Sequence, residues 1–118
     1  MRDLAPNIVR QRLLIEAVYD RAVSQDNICD YLLGIAEHLG LRVYGDPVIH
    51  ATAGEGKDIN QGFDAFVPLL DSGISLYVWT NEKFLSCVIY TCKNFSPEKA
   101  SEYTQSYFNT TDLDSTAF

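Results

Sequence analysis

Apolar and polar residues change rhythm along this chain, and the changes mark its elements. Over residues 9–20 they alternate: Val9, Leu13, Ile15, Ala17 and Tyr19 face one way, Arg10, Arg12, Leu14, Glu16 and Val18 the other. A period of two predicts a half-buried strand whose second face mixes charge with apolar groups. Over 24–39 the period lengthens. Ile28, Leu32, Ile35, Ala36 and Leu39 form a helical stripe, Ser24 or Asp26 can cap its start, and Gly40 can end it. Residues 41–50 read as a second strand, bent at Gly45-Asp46-Pro47. The polar, glycine-rich stretch 52–62 is long for a compact domain, which favours a functional or mobile loop. Three strand-like runs follow, 63–71, 74–80 and 84–92, with turns at Ser72-Gly73 and Asn81-Glu82-Lys83, so an antiparallel meander is predicted. The last helix has Ser96 as its cap, Pro97 at its first position and an apolar face of Ala100, Tyr103, Tyr107 and Phe108. Residues 1–8 and the acidic stretch 110–118 read as peripheral tails.

The order β-α-β-β-β-β-α predicts the α+β class: a two-layer sandwich, one antiparallel sheet with two helices packed on one face. A single domain over 1–118 is expected. Two helices cover one side of such a sheet. The other side would present Arg12, Glu16, Tyr77 or Trp79, and an open face mixing aromatics with charge predicts a homo-oligomer.

Composition narrows the partners. A net charge of −7 argues against nucleic acid, whose phosphates require a basic footprint. No apolar run is long enough for a membrane span, and residues 1–6 lack the hydrophobic block of a signal peptide, so a cytoplasmic protein without membrane partners is expected. Of the three cysteines, Cys87 and Cys92 lie five apart on a predicted strand and therefore on opposite faces, unable to bridge or share a metal. His38 and His50 are isolated, and no metal site is expected.

The most specific constellation is the run from Asp71 and Ser72 through Tyr77 to Trp79, followed after a tight turn by Tyr90-Thr91-Cys92. Here the chain resembles the prokaryotic S-adenosylmethionine decarboxylase family. That family carries a Glu-Ser-His start, an alternating strand ending in Thr-Trp, and a Thr-Cys pair closing the next strand. The resemblance runs without a gap from Phe63 to Cys92 and extends more loosely to residues 12–16, to Val48-Ile49-His50 and to the helix beginning at Ser96.

The resemblance implies a lyase acting on a small-molecule sulfonium substrate, at a site near a subunit interface. In the family the serine at the Ser72 position self-cleaves to a pyruvoyl group, the electron sink for decarboxylation in polyamine biosynthesis, and the cysteine at the Cys92 position donates a proton. This chain departs from that pattern: Asp71 replaces glutamate, Gly73 replaces histidine, Tyr77 stands where a second histidine is expected, and Asp64 replaces serine or threonine. Tyrosine, with a pKa near 10, is a poor proton shuttle at neutral pH. The resemblance also reaches pyruvoyl-independent S-adenosylmethionine lyases, in which the substrate's own carboxylate displaces methylthioadenosine. The main expectation is therefore a lyase on S-adenosylmethionine or a derivative with no cofactor. A pyruvoyl decarboxylase and a non-catalytic binding module are the alternatives. Ser72, Tyr77, Cys92 and Asp71 are the candidate catalytic residues, and Glu16, Trp79 and His50 the candidate substrate-binding residues.

Overall fold

The computed structural model describes residues 1–118. Its elements are β1 (Gln11–Tyr19), α1 (Gln25–His38), β2 (Val48–Thr52), β3 (Gly62–Leu69), β4 (Ser72–Trp79), β5 (Phe84–Thr91), α2 (Pro97–Phe108) and β6 (Thr110–Ala117). The strands form one sheet in the order β2-β3-β4-β5-β1-β6. Every neighbouring pair is antiparallel. The α+β sandwich expected from the sequence is thus the observed architecture, with one strand more.

The extra strand corrects the reading of 110–118 as a tail. β6 pairs with β1 along its length, placing Leu113 opposite Ala17 and Asp114 opposite Glu16. The second strand also begins later than its pattern suggested. Val43 makes only an isolated bridge to Leu69, and regular pairing starts at Val48. The β3–β4 turn falls at Leu70-Asp71 rather than Ser72-Gly73, because Ser72 already pairs with Leu69. Asp71 takes the left-handed backbone conformation there, which a short polar side chain tolerates better than most.

Both helices start on sequence-encoded caps. Ser24 accepts from the Asn27 N–H while Asn27 Oδ1 accepts from the Ser24 N–H, a reciprocal capping box. Ser96 caps α2 by accepting from the Lys99 N–H, and Pro97 supplies the preset backbone angle of the first turn.

The core lies between the sheet and the helices. Leu13, Ile15, Ala17 and Tyr19 of β1, Leu85, Cys87 and Ile89 of β5, and Ile74, Leu76 and Val78 of β4 point toward α1 and α2. The expected stripe of α1 is buried, joined by Tyr31. On α2 the fully buried line is Ala100, Thr104 and Phe108, with Tyr103 and Tyr107 half-buried beside it. Two threonines, Thr91 and Thr104, sit inside. Thr104 Oγ1 donates to the Ala100 carbonyl at 2.8 Å, the Tyr31 hydroxyl lies 2.7 Å from Thr104 Oγ1, and Cys87 Sγ lies 3.7 Å from that hydroxyl. Burial pushes the Cys87 thiol up to about 12 against the opposing hydrogen bond to Tyr31, and raises Tyr31 well above its ordinary value.

Candidate active site

Ser72 opens β4 and Cys92 follows the end of β5, and antiparallel pairing of these strands brings them together. Ser72 Oγ accepts from the Cys92 N–H at 3.0 Å. Both residues are half-buried. They line a cavity of about 220 Å³ shared with Leu41, Arg42, Asp71 and Lys93. Arg42 was not singled out from the sequence. It arrives through backbone bonds of its segment to the β3–β4 turn, Leu70 N–H to the Arg42 carbonyl and Tyr44 N–H to the Pro68 carbonyl. No local pattern announces such a contact. The other cation, Lys93, donates to the Gly40 carbonyl at 2.9 Å and so caps the end of α1.

Tyr77 does not join this cavity. It lies five residues along β4 from Ser72, about 17 Å at ~3.3 Å per residue, and its odd offset places it on the opposite face. There it belongs to a row that crosses the whole sheet: His50, Asp64, Tyr77, Ser86, Glu16 and Asp114 stand opposite one another on successive strands. His50, Asp64, Tyr77 and Glu16 are all exposed. Two of the proposed binding residues, His50 and Glu16, thus share a face with Tyr77 but not with Ser72.

Trp79 closes the far end of β4, about 23 Å from Ser72 along the strand. It stands opposite Gly62 and Phe84, its ring 5.2 Å from that of Phe84. The long polar segment expected as a loop folds over it in two short helical turns, Gly54–Gly56 and Asp58–Asn60. Beneath lies a cavity of about 660 Å³, whose lining includes Trp79, Asp64, Glu55, Lys57, Asn60 and Thr52. Asn81 Nδ2 donates to the Asp58 carbonyl at 2.6 Å, and both the N–H and Oγ1 of Thr80 donate to the Gln61 carbonyl. These bonds fasten the segment to the β4–β5 turn. Gly54 is required in it: a side chain there would lie 2.7 Å from the Asn60 backbone, and its φ of 63° is left-handed. An aromatic face, two carboxylates and one lysine around a site-sized cavity suit a cationic nucleoside-sized ligand.

Six antiparallel strands backed by two helices, with a serine opening one strand against a cysteine that follows the next, define an α+β sandwich organised around a single hairpin. The family model described as S-adenosylmethionine decarboxylase matches residues 13–118. The chain belongs to the S-adenosylmethionine decarboxylase family. Among solved structures, an adenosylmethionine decarboxylase from Aquifex aeolicus shares the fold with a TM-score of 0.69 and 18% sequence identity, the match covering 94% of this chain and 89% of that one. No curated protein matches the sequence. No helix is long and apolar enough to cross a membrane.

The family is normally pyruvoyl-dependent. Around Ser72 the ionisable side chains are Asp71, Arg42, Cys92 and Lys93, the last held by Gly40. Tyr77 faces away on the other side of the sheet. Within one protomer this set does not fit self-processing, which needs a proton shuttle beside the serine.

Proposed function

We infer that the protein is a lyase on S-adenosylmethionine or a derivative of it, working without a pyruvoyl group and releasing methylthioadenosine. The observation that carries this reading is the cavity of about 660 Å³ in which Trp79 meets Asp64 and Glu55 under the 52–62 segment. Its size lies within the ~300–1,000 Å³ of small-molecule sites. In the proposed reaction a carboxylate oxygen of the substrate attacks its own γ-carbon. The carbon–sulfur bond breaks, and its electron pair stays on sulfur. The products are neutral methylthioadenosine and a homoserine lactone that keeps the ammonium group. Trp79 would hold the adenosyl and sulfonium portion by its ring face, with Asp64 and Glu55 weakly balancing the charge. A weak hold matters, because the positive charge on sulfur disappears in the transition state and tight binding of it would slow the reaction. The covering segment would shield the cyclising carboxylate from water on one side.

Tyr77, Glu16 and His50 would contribute from the same open face, and Ser72, Asp71 and Cys92 from the other end of the hairpin. One protomer keeps these groups apart, so the reading includes a homo-oligomer whose second copy approaches the open face. That face exposes Phe66, Tyr77, Tyr90 and Val18.

Incubating the purified protein with S-adenosylmethionine, and with a nucleotide conjugate of it, should yield methylthioadenosine by liquid chromatography while the chain keeps a single intact mass. Trp79→Ala should slow product formation about tenfold. A self-processing pyruvoyl decarboxylase is the second reading, favoured by the contact of Ser72 with Cys92, and it requires cleavage between Asp71 and Ser72. A split chain overturns the pyruvoyl-free reading in its favour. An intact chain that yields no methylthioadenosine from either sulfonium leaves a binding module.

A further inference from the structure

The first strand carries a second feature, separate from both cavities above. Arg10 and Arg12 lie on the open-face side of β1 and its approach, and with Arg2 and Asp3 they line a cavity of about 320 Å³. In a chain with 9 Lys+Arg against 16 Asp+Glu, three guanidinium groups meet here around one carboxylate. Arg10 donates through one terminal nitrogen to Asp3 and to the Ala5 carbonyl. Its Nε is buried and has no partner. Arg12 is less satisfied still: its Nε is likewise buried without an acceptor, and its side chain makes no hydrogen bond or ion pair. Its guanidinium carbon instead rests 5.8 Å from the centroid of the Phe118 ring, while β5 sets Tyr90 opposite it.

A buried guanidinium N–H without an acceptor is costly, because that one donor has lost water and gained no partner. The same two side chains line one opening together with Arg2, and guanidinium groups gathered in this way suit an oxyanion. The charge count selects the class. Three guanidinium groups less the Asp3 carboxylate leave two positive charges, which match a phosphate dianion better than a single carboxylate. Guanidinium groups also donate in a planar fork that fits phosphate oxygens.

We propose that Arg2, Arg10 and Arg12 form a phosphate-binding site at the end of β1 on the open sheet face. The ligand is a phosphate dianion, either inorganic or carried as a monoester. The site lies two strand spacings from Gly73, about 10 Å, and about 20 Å along the strands from the Trp79 row. It is therefore distinct from the proposed sulfonium cavity, and its failure would leave the reaction proposed above untouched.

Isothermal titration of the full chain with inorganic phosphate, adenosine 5′-monophosphate and acetate tests it. Phosphate should bind, acetate at least about tenfold more weakly, and Arg12→Gln should raise the phosphate dissociation constant about tenfold or more. Lys99→Gln, on the exposed side of α2, should leave it unchanged. A far-ultraviolet spectrum and melting temperature matching the parent show that Arg12→Gln is folded; if it is not, Arg2→Gln serves in its place with the same expected loss. Equal affinities for phosphate and adenosine 5′-monophosphate support a site that reads the phosphate alone, and tighter adenosine 5′-monophosphate supports a phosphomonoester as the natural ligand. Undetectable phosphate binding, equal binding of acetate, or equal weakening by Lys99→Gln overturns the proposal.

Discussion

Cys87 makes stability depend on alkaline pH in a way that one substitution should expose. The thiol is fully buried on β5, facing Tyr31 of α1, and burial lifts its pKa from 9.0 to about 12. Because the folded value lies above the unfolded one, the unfolded chain gives up this proton first. Stability from the neutral thiol is complete below about pH 9 and is lost as pH rises toward 12. Between pH 8 and 10.5 the linkage amounts to about 2 kcal/mol for this single group. Cys87→Ala removes the titration and leaves a small void, costing about 1–2 kcal/mol at pH 8. Urea denaturation of both proteins across that range should therefore show the parent ahead at pH 8 and the gap closing or reversing by pH 10.5. Burial holds Tyr31 well above its ordinary value in both chains, so its own titration largely cancels in the difference. Parallel stability curves would mean that Cys87 ionises in the folded state as readily as in the unfolded one, and the buried-thiol argument would fail.

Thiol reactivity should follow the same geometry: at pH 8 a disulfide reagent should modify Cys29 and Cys92 in the native protein and reach Cys87 only in denaturant. Three fast-reacting native thiols would contradict the packing of β5. Gly62→Ala should lower the melting temperature by roughly 10 °C, since a methyl group there would sit 1.6 Å from the Val78 carbonyl oxygen and force β3 from β4. An unchanged melting curve would count against the register of that pair.

Much of the sandwich was legible in the spacing of residues, and the failures have physical causes. The alternation in 9–20 and the capped stripe of 24–39 encode β1 and α1 directly. β6 escaped because Thr110–Ala117 is an edge strand whose only large apolar residue is Leu113; its pairing with β1 supplies order that its own composition does not announce. Tyr31 and Thr104 were missed as core residues because polar atoms rarely sit inside, yet each satisfies the other across the helix pair. For the site, the family resemblance grouped Ser72 with Cys92, and the pairing of β4 with β5 sets them side by side. Tyr77 was grouped with them by the family pattern, although alternation along β4 already assigns it to the other face. Arg42 and the cavity under 52–62 depend on contacts distant in sequence, which periodicity cannot report.

The segment that roofs Trp79 joins the sheet only at its rim, through Asn81, Thr80 and Thr52, and none of residues 53–61 is buried. Lengthening or shortening it would disturb neither the ladder beneath nor the helix layer behind. The size of the cavity beneath can therefore be changed by editing this one strap while the rest of the architecture stays fixed.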